Sequence, residues 1–428
     1  VVSNRPPRSS PLRGGVLSAF ANRDFSVLWS GAFISNVGTW IQTAALLWYI
    51  KVLTGSNAWV GWVNFASYLP VLFLSLYAGS LADYLDRKKL ILVGQSVMMV
   101  DAFALAIATT VGVANLPVIM VISVVMGIAT ALLLPAWQSI MPDLVPPRDL
   151  LNAVALNAAQ FNLARFVGPA LGAIIISVWS AGTAFYINGI SFLFVIGAIL
   201  LVRTHTPGVP MPEEGRLRHM GAAFTHVWRN RYMFWLLMVI TVVAFFGFSV
   251  LVLMPAVAKD VFHRGAGSYG LILGLYGLGA AIGAPLVTWL DDRFDSRNVI
   301  RGSAVALGVV LIAFGLSRTY WLTCVTSIGF GGSFMVLASA INATLQGNSE
   351  REMRGRVSSL FIMLLVGGFP IGGQLLAYLS ELTSTEVAIL VGGGVCLATG
   401  IALLVFPSLT MRGQPVRHDD RAAQPEHP

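Results

Sequence analysis

The sequence predicts an all-α polytopic membrane protein whose twelve spans form two six-helix pseudo-repeats. Three observations carry this expectation. The first is composition: 56% of the 428 residues are hydrophobic and 11% charged, with mean hydropathy +0.77. A soluble domain carries about 25% charged residues. The second is length. A span needs ~20 apolar residues, and such runs recur at 25–50, 58–81, 89–111, 117–138, 152–178 and 182–202. They continue at 232–257, 268–290, 299–317, 320–343, 357–379 and 386–406. The third is a repeat. Leu81, Asp83, Asp86 and Lys88 follow the second run, and Leu290, Asp292, Asp295 and Arg297 follow the eighth at one constant spacing. Two halves repeating a connection between spans is a transporter construction.

Taken in order, the chain opens with a polar tail, 1–24, rich in proline and arginine and without an apolar signal core. The first span, not a cleaved leader, is therefore the expected targeting signal. That span carries Ser35, Asn36, Thr39, Gln42 and Thr43 at helical spacing, a polar stripe that should face other helices or water. Residues 25–202 make the first bundle. The connection 203–231 has Pro207, Pro210 and Pro212, then a basic run from Arg216 to Arg231. A solvated linker and a helix lying on the inner leaflet near 216–229 both fit. Residues 232–406 make the second bundle. Its seventh span offers Thr241, Phe245 and Phe248 on one face, and its tenth Ser339, Asn342 and Gln346. Stripes of this kind suit cavity lining or helix packing. The tail 407–428 is polar again. Basic residues concentrate in the two tails and in alternate loops. The exceptions are Lys51, Lys259, Arg264 and Arg318, with Arg165 inside a span. Positive charge is retained in the cytoplasm, so both termini and the central connection are expected there.

This distribution also removes nucleic acid as a partner: the +8 net charge follows topology and forms no binding face. No lysine follows a glycine-rich phosphate loop. No cluster has metal-ligand spacing, so no cofactor, metal or catalytic group is expected. Cys324 and Cys396 fall inside spans and read as small apolar residues. Charges inside spans are costly and commonly functional. Two qualify: Asp101 in the third span and Arg165 in the fifth. Arg165 leads into Gly168, Pro169 and Gly172, where proline removes a backbone hydrogen bond and glycines permit close helix approach. Gly367, Gly368, Pro370, Gly372 and Gly373 are the counterpart in the second half.

Residues 79–89 resemble the signature between spans 2 and 3 of the major facilitator superfamily, Gly-x-x-x-Asp-Arg/Lys-x-Gly-Arg/Lys-Arg/Lys. Gly79, Asp83, Arg87 and Lys88 match, whereas Tyr84 and Asp86 depart. The stretches Pro135–Val145 and Leu151–Pro169 resemble the bacterial exporter branch that includes the enterobactin exporter and macrolide-efflux proteins, the transmembrane secretion effector type. Gly168-Pro169-x-x-Gly172 resembles the antiporter motif of drug exporters, with Ala173 in place of its last glycine. The resemblance implies a major facilitator fold and a monomer. It gives Asp83 a gating role against the start of the eleventh span near 355–358, where a helix dipole favours negative charge, with Arg87 holding Asp83. Asp292 with Arg297 would be a mirror lock against the fifth span. The span-4 motif of proton-coupled drug exporters is absent, which leaves Asp101 as the proton-coupling candidate.

The expected function is secondary active transport across the cell inner membrane: proton-coupled efflux of a small amphipathic drug or siderophore by alternating access. Uptake or flipping of a metabolite or lysophospholipid is the alternative within this fold. A non-transporting sensor or scaffold is the alternative of another class. Substrate-binding candidates are Asn36, Thr39, Gln42, Arg165, Phe245, Phe248, Ser339 and Asn342. Arg165 has two open readings, an anion-binding group or a tie to Asn36 or Thr39, and a pairing with Asp101 also fits.

Overall fold

A computed structural model describes residues 17–84, 86–204, 227–228, 230–350 and 353–406, with backbone alone at 75–84 and 355. Twelve long helices follow one another: α1 (Arg23–Thr54), α2 (Asn57–Tyr84), α3 (Arg87–Val111), α4 (Leu116–Leu144), α5 (Leu150–Val178) and α6 (Ala181–Leu201). The second set is α7 (Arg231–Val261), α8 (Ala266–Asp291), α9 (Ser296–Leu316), α10 (Tyr320–Gly347), α11 (Arg354–Leu382) and α12 (Thr385–Val405). Among the described residues, ten are long and apolar enough to cross a membrane by length and composition, and α1 is outside that set. The polar stripe of α1 dilutes its apolar run. The expected 203–231 inner-leaflet helix falls mostly outside the described residues, as do most of both tails.

Packing repeats between the halves. Helix α1 lies on α6, α2 on α4 and α3 on α6; likewise α8 lies on α10 and α9 on α12. Two seams, α5 with α8 and α2 with α11, join the halves. The helix starts repeat too. Asp86 accepts from the Lys88 and Lys89 amides at the head of α3, and Asp295 accepts from the Arg297 amide at the head of α9. Ser180 and Ser384 cap α6 and α12 in the same way. A capping carboxylate answers orphan amide donors and the positive helix end. The repeated Asp86 and Asp295 are therefore first of all helix caps. This accounts for Asp86 standing where the superfamily signature has glycine.

Helix α7 departs from regular geometry. Its α-helical run Arg231–Val242 gives way to a π turn at Val243–Gly247, a 3-10 segment at Phe248–Leu253 and another π turn at Val257–Val261. Such interruptions are frequent at functional sites. They turn Phe245 and Phe248 out of the register that a uniform helix predicts. Helix α4 runs six residues past the expected end, through Pro135 and Pro142, to Leu144. That extension carries Asp143 to the head of α3.

Candidate functional site

The two seams are built from small residues facing bulk. In the α5–α8 seam, Ala173, Ala170 and Phe166 meet Gly270, Gly274 and Gly277 in antiparallel order. A Cβ on Gly270 would overlap Ala173 and stand 2.9 Å from the Pro169 carbonyl oxygen. In the α2–α11 seam, Gly61 packs on Gln374 and Ala377, Asn64 lies by Gly373, and Leu72 fills the space over Gly367. Gly168 and Gly172 face the other way, onto Trp40, Val37 and Ile41 of α1. Within the Gly168-Pro169-x-x-Gly172 element, the glycines thus seat α5 in its own half. Pro169 and Ala173 meet the opposite half.

At the end of the bundle away from the described start of α1, polar groups reinforce the seams. Lys51 is 2% exposed and its Nζ lies 2.5 Å from Asp260 Oδ2. Lys259 Nζ donates to the Lys51 carbonyl at 3.2 Å. The Asn57 side chain donates to Ser380 Oγ at 2.9 Å. Glu381 accepts from the Ser56 hydroxyl and from the Ala58 amide. Trp48 stacks on Tyr269 at 5.7 Å. We call this end the far face and the opposite end, which carries Arg23 and Arg231, the near face.

Arg165 sits midway along α5, beside the Phe166–Gly277 contact of the seam. Its Nη2 donates to the Tyr276 hydroxyl at 3.0 Å. The guanidinium lies 5.4, 5.3 and 5.2 Å from the rings of Trp40, Phe248 and Tyr276. The aromatic set continues across the halves. Phe248 stacks on Phe334 at 4.7 Å and packs on Phe369 at 4.6 Å. Phe369 meets Tyr68 edge-on at 5.4 Å, and Tyr276 meets Phe330 at 4.8 Å. No ion pair involves Arg165 among the described residues, and no side-chain bond ties it to Asn36, Thr39 or Asp101. Neither expected partner on α1 holds it; the tie runs to the other half. Each cation–π contact is worth ~0.5–2 kcal/mol, yet three ring faces leave a full positive charge uncompensated.

Among the described residues, no hydrogen bond, ion pair or ring contact joins the halves on the near side of this level. Among the described residues, the polar and ring contacts between the halves thus run from the far face to the Arg165 collar.

The remaining candidates divide between cavity and scaffold. Gln42 is buried against α6, its Oε1 accepting from Asn188 Nδ2 at 2.8 Å; it holds the first bundle together. Gln42 and Ser35 lie on one strip of α1, about 100° around the helix from Asn36 and Thr43, so the single stripe read from the sequence is two. Asn36 is half-buried, and Thr39 donates to its own helix at Ser35. Ser339 is half-buried. Asn342 accepts from Gln346 Nε2 and from Ser358 Oγ, both at 3.2 Å, tying α10 to α11 at the near face. Phe245 packs on Phe246 while its carbonyl oxygen faces Gly372.

The gating residues of the near face have mixed placements. Gly79 and Asp83 belong to α2, but their side chains lie outside the described residues. Arg87, expected to hold Asp83, pairs with Asp143 Oδ2 at 2.5 Å, because α4 extends far enough to deliver that carboxylate. Lys88 Nζ donates to the Val202 carbonyl. Asp292 is exposed, and Arg297 lies 4.0 Å from Asp295; the Asp292–Arg297 lock is not formed. Asp24 clamps the first bundle shut at this face, accepting from Arg203 N, Thr204 N and Thr204 Oγ1. Burial works against its charged form, but the Thr204 and Arg203 donors outweigh that and hold the carboxyl below the ordinary aspartate range. Asp101 is 5% exposed and turned away from the collar, on a groove between α3 and α4.

Sequence reasoning missed Trp40, Tyr68, Tyr276, Phe330, Phe334 and Phe369, and read Lys51 as a loop charge. An aromatic residue inside a span looks the same in sequence whether it faces lipid or a partner helix. Only Lys51 and Asp260 gave a signal, as opposite charges at the far ends of α1 and α7.

Twelve helices in two packed six-helix sets, joined along α2–α11 and α5–α8, define a transporter of the major facilitator type, not an enzyme. Residues 14–426 match the transmembrane secretion effector family, and the chain belongs to it. It is 25% identical to the staphyloferrin A transporter of Staphylococcus aureus, covering 82% of this chain and 88% of the relative. Identity is also 25% to macrolide efflux protein A of Streptococcus pyogenes (87% and 94% covered) and to the enterobactin exporter EntS of Citrobacter koseri (89% and 91%). A solved nucleoside transporter, a NupG mutant, superposes with TM-score 0.76 at 14% identity over 90% of this chain and 99% of that one, which bears on fold alone.

Proposed function

We propose that this multi-pass membrane protein exports a small, negatively charged amphipathic compound of the siderophore class by alternating access. The observation that carries the reading is the Arg165 guanidinium: a positive charge with no carboxylate partner among the described residues, walled by aromatic rings at the interface of the halves. An anion with an apolar or aromatic body matches both features. Two of the relatives named above are a siderophore transporter and a siderophore exporter by name, which supports the class.

The basic tails and loops support a cytoplasmic near face, and the far-face contacts support a conformer sealed outward. Substrate then enters from the cytoplasm. An anion taking the Arg165 donors displaces the Tyr276 hydroxyl, and with it a side-chain hydrogen bond that spans the halves at this level. Loading thereby weakens the far-face closure and favours the outward state. In that state Asp83 meets the start of α11, and the near face is shut. Driving force from a proton gradient belongs to this reading. Asp101 is the one carboxylate away from a helix end among the described residues and is the group proposed to take up the proton. The protein acts as a monomer and needs no cofactor.

The test is accumulation of a catecholate siderophore and of a cationic dye in cells with and without the protein, with a protonophore added midway. The expected result is lower siderophore accumulation, reversed by the protonophore, with the dye unaffected. Equal siderophore accumulation in both cell lines refutes export. Lower dye accumulation alone reverses the charge assignment.

A further inference from the structure

A groove of about 570 Å3 runs along the outer side of α3 and α4, lined by Leu92, Val93, Ser96, Val97, Val100, Asp101, Ala104 and Val125. Its volume falls within the range of small-molecule pockets, ~300–1,000 Å3. Val93 and Val100 on its rim are 61% and 64% exposed; on an outer face of a spanning bundle they contact lipid. Asp101 belongs to this wall, and its buried Oδ2 has no hydrogen-bond partner. An unmatched buried carboxylate is expensive. The protein offers it no cation. Helices α4 and α6, which flank α3, carry no lysine, arginine or histidine. Lys89, the nearest basic residue on α3 itself, stands twelve positions away, about 18 Å along the axis. When charged, Asp101 has no cation from the flanking helices, and the groove gives a cation from the bilayer access to it.

Depth selects the source. Asp101 lies about 21 Å from the near end of α3 and about 15 Å from its far end, close to the middle of a ~30 Å hydrocarbon layer. A phospholipid amine is held at the surface by its phosphate and does not reach this level. A single-headed amine on an apolar body does. We propose that the α3–α4 groove is a lateral binding site for a lipid-soluble amine, its ammonium on Asp101 and its apolar body along Val93, Val97, Val100 and Val125. This site is separate from the Arg165 collar and of opposite charge; it shares Asp101 with the proposed proton uptake, so its test reads binding of the amine and not transport.

The test uses the full chain in phosphatidylcholine nanodiscs. The probe is dodecylamine carrying a dansyl group at its far end, with the matching dansylated alcohol as control. Saturable, blue-shifted dansyl emission is expected for the amine only. Asp101→Asn should weaken it at least tenfold, and Val100→Trp, which fills the groove and keeps the carboxyl, should block it. Both variants should keep the wild-type size-exclusion profile and melting temperature, which reports a folded chain. Equal amine affinity in wild type and Asp101→Asn, or equal binding of amine and alcohol, overturns the proposal. Displacement of the probe by phosphatidylethanolamine in the discs overturns the choice of a single-headed amine.

Discussion

The two ends of the interface between the halves are held by different chemistry. At the far face, the Lys51–Asp260 pair, Asn57 on Ser380, Glu381 on Ser56 and Ala58, and two small-residue seams close the halves onto each other. At the near face, the polar pairs given by the described residues lie within one half: Arg87 with Asp143, Asp24 with Thr204, Asn342 with Ser358. On the proposed mechanism, the difference picks out the contacts to be exchanged when the transporter turns over. The proposed alternating access makes and breaks the far-face set, while the near-face set holds each bundle together as a body.

The largest expected effect comes from denying the far face its closure. Gly270→Val puts bulk where even a Cβ overlaps Ala173, and overpacking costs ~1–3 kcal/mol or more. Transport is expected below a tenth of wild type in membranes that contain normal amounts of protein. Near-normal transport would mean that this seam does not need to close. Next is Lys51→Ala, which removes a buried cation and leaves Asp260 unpaired. A hydrogen bond to a charged group is worth ~1.5–3 kcal/mol, so the far face should open measurably. Spin labels on the far ends of α1 and α7 should then show a longer, broader distance distribution. An unchanged distribution would make the pair ornamental.

A third experiment sharpens the near-face side. Arg87→Ala should lower thermal stability by several degrees, because Asp143 loses its partner, whereas Arg297→Ala should stay within ~0.5 kcal/mol of wild type. Equal effects would contradict the asymmetry of the two loops. The smallest effect is at Asp24. Its carboxyl is held below the ordinary range, so its contribution is fully present above the unfolded aspartate pKa, about 3.9. It is lost only as pH falls through the lowered folded value. Asp24→Asn should therefore lower the melting temperature slightly at neutral pH, and the gap should close in acid. A gap independent of pH would assign the effect to something other than the charge.

The helices themselves were legible, because apolar length and loop charge are written directly into a membrane sequence. Most ends lay within three residues of expectation. The exceptions, such as α4 at Leu144, were places where a helix ran on beyond its expected end, through two prolines in that case. Arg165 stood out because a charge inside a span has few reasons to be there. Its partners did not: Tyr276 and Phe248 reach it from the other half, and nothing local encodes that approach. The repeat of Asp86 and Asp295 was visible, but its first meaning, two helix caps, needed the backbone. Gln42 was misplaced because one residue of phase decides between cavity and α6.

The most direct test of the account is binding of a catecholate siderophore to the purified protein, followed through Trp40 fluorescence, in wild type, Arg165→Lys and Arg165→Gln. Loss of charge-assisted bonds worth ~1.5–3 kcal/mol should weaken binding by about 10- to 100-fold in Arg165→Gln. Arg165→Lys should fall between, since it keeps the charge and loses the fork, and a neutral ester of the same compound should bind all three alike. Equal affinity of the anion for all three proteins would contradict the assignment of Arg165 as the group that receives the substrate.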